Sequence, residues 1–218
     1  MTIDKDDLLN SILSNIAKMD LVKSSDIPNI DLYMDQVTTF MENALDSSKR
    51  YPEDKILTKT MINNYAKNDL LPPPTKKKYS KEHLMVLTFV YYFKNILSIK
   101  DIETVLKPIS EKYFHSENEL NVSHIYDEVC AFEKERTNIL QEDIKLAYEA
   151  SQKTFSDTDE EDREFLQFFS FICLLGLDVY VKKQIIEKLV DIMAESQSEN
   201  FEEAKKEQKK ETKKESKK

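Results

Sequence analysis

The chain has one glycine, Gly176, in 218 residues, and no tryptophan. A P-loop and a dinucleotide fingerprint both need several glycines so that the backbone can approach a phosphate, and neither can be built here. Scarce glycine, with abundant Leu, Lys, Glu and Ile, also favours helices over tight hairpins. Cysteine is nearly absent. Cys130 and Cys173 stand far apart without a CxxC partner, the usage of a reducing compartment rather than of a disulfide framework. Long hydrophobic runs are missing too. The most apolar stretch, Phe165 to Leu177, contains Gln167 and Ser170 and is followed by Asp178. It is too short to cross a bilayer and reads as a buried core helix. The start, MTIDKDDLLNSIL, places acids where a signal peptide needs bases. A cytoplasmic protein without membrane association is expected.

What is present describes a globular chain with a heavily charged surface, 40% hydrophobic and 33% charged, long enough for one or two domains. Leu8, Leu9, Ile12, Leu13, Ile16 and Met19 recur at helical spacing and predict a helix over roughly 5–19. A second helix is expected from Tyr33 to Leu45. Thr58 caps a third through Lys67, which Pro72-Pro73-Pro74 stops. Ser80 opens an apolar helix to about Leu97. Ser98 with Asp101 has capping-box spacing and starts another, ending near Pro108. Val122, Ile125, Val129 and Phe132 suggest one helix from Val122 to about Phe155, although Arg136 and Asp143 interrupt its seam. Two more helices follow at 159–175 and 178–195. The Lys/Glu-rich end has almost nothing to bury and is expected to be disordered.

The net charge is −9, but it is unevenly spread. From Thr58 to Lys81 the charge is +5, carried by Lys59, Lys67, Lys76, Lys77, Lys78 and Lys81 against Asp69; the tail from Phe201 carries +3, and the remainder −17. Three adjacent lysines are most simply a solvated loop. A basic island can also release counterions from nucleic acid, the main source of non-specific DNA affinity.

Around that island the residues LTKTMINNYAKNDLLPPPTKKKYSKEHLMVL, 57–87, set Ile62 and Tyr65 on one side of a helix and Lys59, Thr60, Asn63, Asn64 and Lys67 on the other. Asparagine pairs in bidentate fashion with adenine, and lysine reaches phosphates or guanine. This segment resembles the DNA-binding region of MerR-type regulators over roughly residues 35–110. It looks closer still to an uncharacterised bacterial family of unknown function that shares it. By that resemblance Thr58 is the helix cap, Ile62 a core position, Leu70-Leu71 the closing hydrophobic pair, and Lys77 and Tyr79 the wing. Thr60, Asn63 and Asn64 stand where the family usually has Arg, Arg and Tyr. The resemblance implies a homodimer on double-stranded DNA, its contact made by helices after the fourth.

Other candidates read as structure. His83, His115 and His124 lack metal-site spacing, and His83, in the first turn after Ser80, serves packing or solvent. The acids Asp157 to Glu164 suit a helix start and lack the glycine of an EF-hand. The aromatic run Phe165, Phe168, Phe169, Phe171 and Ile172 is expected in a core or dimer interface, a small-molecule effector pocket being the sharper alternative.

The sequence therefore predicts an all-α chain in four parts. A helix at 1–28 precedes a MerR-like winged helix-turn-helix with a short wing at 29–112, a helical dimerisation or sensing region at 113–197, and a charged tail at 198–218. The expected role is transcription regulation by DNA binding through Lys59, Thr60, Asn63, Asn64, Lys67, Lys76, Lys77, Lys78 and Tyr79, with no cofactor, metal or catalytic residue. The alternative is a helical protein-interaction module.

Overall fold

A computed structural model describes residues 5–17 and 21–215. It is mostly helical, with a single two-stranded sheet among the described residues. Helix α1 (Lys5–Ala17) precedes strand β1 (Leu32–Tyr33) and α2 (Met34–Ala44). Then come α3 (Lys59–Lys67), β2 (Lys78–Tyr79) and α4 (Lys81–Phe93). The chain ends with α5 (Ile99–Tyr113), α6 (Val122–Ala131), α7 (Glu133–Gln152) and α8 (Glu160–Glu215). Met19, part of the predicted first helix, lies outside the described residues.

Helix α4 is the centre of the core. His83 through Thr88 are all buried, as are Val90 and Tyr91, so it is wrapped on every side, as a helix apolar all round must be. Around it pack Val37 and Met41 of α2, Ile62 and Tyr65 of α3, Ile102 and Leu106 of α5, and Val122 and Tyr126 of α6. The Tyr126 hydroxyl, fully buried, donates to the Val22 carbonyl. Burial raises its pKa.

The caps read from the sequence form. The Thr58 hydroxyl accepts from the Met61 amide at 3.2 Å, and Ser98 and Asp101 exchange reciprocal bonds at 3.1 and 3.2 Å. Ser80 opens α4, but the helix stops at Phe93, with a turn reaching Leu97.

Several boundaries differ from expectation, each for a physical reason. Helix α5 runs through Pro108 to Tyr113. Pro108 cannot donate to the Thr104 carbonyl one turn back, and the Gln197 side-chain amide of α8 bonds that carbonyl at 3.0 Å instead. The expected helix from Val122 to Phe155 breaks at Phe132 into α6 and α7. Val129 and Phe132 are exposed, so the seam read from their spacing is not the buried one; α6 buries Val122 and Tyr126. The two helices expected near 159–195 are a single helix: Gly176 lies inside α8 without positive φ, costing helix propensity but not breaking the helix. Its backbone continues as helix to Glu215, through most of the tail expected to be disordered; good helix formers with Glu and Lys three apart in sequence favour this.

The stretch Phe165 to Leu177 is not a buried core helix. Phe171 is buried against Tyr148 of α7, but Phe165, Phe168, Phe169, Ile172 and Leu177 are exposed. By length and composition alone, Asp162–Ser198 is long and apolar enough to cross a membrane, and only 11% of its apolar window is buried.

Candidate nucleic-acid interface

Helix α3 is amphipathic in the sense its spacing predicts. Ile62 and Tyr65 are buried, and Lys59, Thr60, Asn63, Asn64 and Lys67 are exposed. The helix ends in a Schellman arrangement: Asp69 takes φ 55° and the Leu70 amide bonds the Tyr65 carbonyl at 3.0 Å. Leu70 and Leu71 then enter the core. A position that usually calls for glycine is filled by aspartate.

The triple lysine forms a tight turn. The Lys78 amide donates to the Thr75 carbonyl at 3.0 Å, and the two central residues, Lys76 and Lys77, have φ of 51° and 65°. This is the pattern of a type I′ turn, ordinarily made by Asn-Gly. Side chains at both positions are strained and point outward; Lys76 and Lys77 are exposed. Lys78 begins β2, which pairs antiparallel with β1 in the register Leu32 to Tyr79 and Tyr33 to Lys78. Strand alternation sends Lys78 and Tyr33 to one face and Tyr79 and Leu32 inward. Tyr79 is 3% exposed and its ring meets His83 edge-on at 5.4 Å. Its expected place among the contact residues is therefore corrected: it is a core residue.

Strand β1 ties the two basic elements together. The Lys78 ammonium lies 5.2 Å from the centre of the Tyr33 ring, a cation–π distance. Two residues on, the Asp35 carboxylate pairs with Lys59 in the first turn of α3. Lys59 and Lys78 thus meet at the β1–α2 junction, and Asp35 offsets part of the local positive charge. Sequence spacing could not reveal Tyr33 and Asp35 as neighbours, because their place depends on a two-residue strand pairing across more than forty residues.

Behind the turn, His83 occupies the third position of α4 and is 1% exposed. The Ser80 amide donates to its Nδ1 at 2.9 Å, while Nε2 is buried without a hydrogen bond of good geometry. Burial, aided by the nearby charge of His115, pushes this imidazole down to about 4, against the weaker opposing influence of the Pro73 and Pro72 carbonyls. His115 itself lies 2.8 Å from the Glu82 carboxylate. His83 therefore serves packing, and its neutral form holds the start of α4.

Residues 22–129 match the family model described as a domain of unknown function, DUF1836. The matched residues contain β1, both lysine-bearing elements and the core helix α4. Helices α7 and α8 lie beyond them. No curated protein and no solved structure matches the chain.

Proposed function

We propose that this chain is a sequence-specific DNA-binding transcriptional regulator, cytoplasmic and homodimeric, with a MerR-like winged helix-turn-helix inside its DUF1836 domain. The observation that carries the reading is α3. Its polar side, Lys59, Thr60, Asn63, Asn64 and Lys67, is exposed while its apolar side is anchored in the core, and the exposed Lys76-Lys77 turn leads into Lys78, which reaches the same β1–α2 junction as Lys59. Asparagines on α3 suit base edges in a major groove, and the turn lysines suit phosphates. In this reading α3 is the recognition helix and the turn is the wing.

The cytoplasmic assignment draws support from the packing of α8. Gln167, 4% exposed, donates its side-chain amide to the Gln152 and Thr154 carbonyls at the end of α7, and Ser151 is buried beside them. A helix held this way by a polar neighbour is poorly suited to hydrocarbon. An effector has less support: Phe165, Phe168 and Phe169 are exposed.

A second reading, a helical interaction module, is favoured by the Asp35–Lys59 pair, which neutralises a lysine that DNA would need. The test is fluorescence anisotropy with duplex DNA from upstream of the protein's own gene, at two salt concentrations. The Lys76/Lys77/Lys78→Glu variant runs alongside. Salt-sensitive binding that the variant loses supports the regulator; no binding at low salt, to this duplex or to mixed genomic fragments, favours the interaction module.

A further inference from the structure

The link from α3 to β2 faces one side of α5, and a cleft of about 350 Å³ lies between them. Asp69, Leu71, Pro72 and Pro73 form one wall. Lys107, Ser110 and Glu111, which share a side of α5 by their three- and four-residue spacing, form the other. Leu71 is buried. Asp69 and Glu111 are exposed, and neither joins an ion pair among the described residues. Lys107 reaches Glu103 only at 3.9 Å.

The cleft borders an unused polar atom. A hydroxyl inside a helix often donates to the carbonyl one turn back, as Thr104 of α5 does to Lys100 at 3.1 Å. The Ser110 hydroxyl does not, and is buried without a partner. Among the described residues one other buried side-chain atom shares that state, His83 Nε2, and the carbonyls of Pro72 and Pro73 act on that imidazole. The two unused atoms therefore flank the Pro72-Pro73 segment. A buried polar group left unpaired in a folded protein calls for a reason.

We propose that the cleft is an effector site for a free α-amino acid with an apolar side chain. The Lys107 ammonium and Ser110 hydroxyl suit its carboxylate, and the Asp69 and Glu111 carboxylates suit its ammonium. Leu71, Pro72 and Pro73 offer apolar surface to its side chain. A simple anion would face two carboxylates, and a simple cation would face Lys107. The volume lies at the low end of the roughly 300–1,000 Å³ of ligand pockets, so the ligand is small.

The position indicates what the ligand does. Asp69, with φ 55°, ends α3, and Pro72-Pro73 lead into the Thr75–Lys78 turn. An amino acid held between this link and α5 fixes the turn relative to α3, so less ordering remains when both lysine-bearing elements meet DNA. The effector role rests on the proposed DNA binding; the site itself does not. The aromatic run of α8 takes no part in it.

Isothermal titration calorimetry of the full chain without DNA tests the site, with L-leucine, L-isoleucine, L-valine, L-methionine, L-phenylalanine and L-proline as probes. At least one should bind one-to-one with a Kd below about 1 mM. Its methyl ester, which lacks the carboxylate, and its N-acetyl form, which lacks the ammonium, should bind at least about tenfold more weakly. Asp69→Asn keeps a residue that tolerates the left-handed region, and it should weaken binding about tenfold, as should Ser110→Ala. Removing an unpartnered buried hydroxyl leaves Tm unchanged or raised, so thermal unfolding of Ser110→Ala separates lost binding from lost fold. No binding by any of the six overturns the proposal. So does an ester or N-acetyl form that binds as well as the amino acid, or binding that both variants retain in full. In anisotropy titrations of the wild type, the bound amino acid should raise DNA affinity about fivefold or more. Unchanged DNA affinity overturns the effector role, whereas a chain that binds the amino acid and ignores DNA sinks the regulator alone.

Discussion

The double variant Lys76→Asn/Lys77→Gly should stabilise the protein and weaken its grip on DNA at once. Both lysines sit in the left-handed region, at φ 51° and 65°, where an L side chain with a Cβ costs about 1–2 kcal/mol. Asparagine tolerates that region and glycine is at home in it. Glycine also frees the unfolded chain, which offsets about 0.5–1 kcal/mol of the gain. The net stabilisation is about 1–2 kcal/mol, or roughly 3–6 °C in Tm for a chain of this length. Neither side chain is buried, so no packing is lost. On DNA the same change removes two positive charges, and the slope of log affinity against log salt should fall by about 2. Thermal unfolding followed by circular dichroism and anisotropy titrations at several salt concentrations read the two effects. A lower Tm would refute the strain argument, and an unchanged salt slope would refute the role of the turn in holding phosphates.

Two further changes test the surroundings. Replacing His83 by Gln keeps a residue suited to the third position of a capping box and removes a buried imidazole whose pKa falls from an ordinary 6.5 to about 4. Because the unfolded chain takes up the proton first, stability should be full above about pH 6.5 and drop by about 2 kcal/mol on going to pH 5. The urea midpoint should show that fall in the wild type and a flatter profile in His83→Gln; equal slopes would mean the imidazole is not buried neutral. Asp35→Asn frees Lys59 from an exposed ion pair worth little to stability. It should raise DNA affinity several-fold at low salt and steepen the salt slope by about 1, whereas unchanged binding would place Lys59 away from the DNA.

Much of the domain was legible because its signals are local. Thr58, Ser80 and Ser98 announce helix starts through their own hydroxyls, and the three-residue spacing of Ile62 and Tyr65 sets the orientation of α3 without reference to anything distant. What was not legible depends on partners far along the chain. Pro108 reads as a stop until Gln197 supplies the missing donor. Strand β1 is too short to leave a pattern and exists only through its pairing with β2, and that pairing is what turns Tyr79 inward. The near absence of glycine argues correctly for helices, yet it conceals the turns, since Asp69, Lys76, Lys77, His115 and Phe155 all take positive φ without it. The aromatic run on α8 shows the remaining gap. Apolar composition says that a face wants cover but not which surface covers it, and Phe165 to Leu177 is left largely open within one copy.

The most direct test of the central claim is selection of bound duplexes from a random-sequence pool by the wild-type chain, with Asn63→Ala/Asn64→Ala as the control. A sequence-specific dimeric regulator should enrich a motif with two-fold symmetry, its half-sites about one helical turn apart, and the asparagine variant should lose or relax bases in each half-site. A pool that stays random, from a chain that folds and dimerises, would contradict the claim and make α3 a scaffold helix.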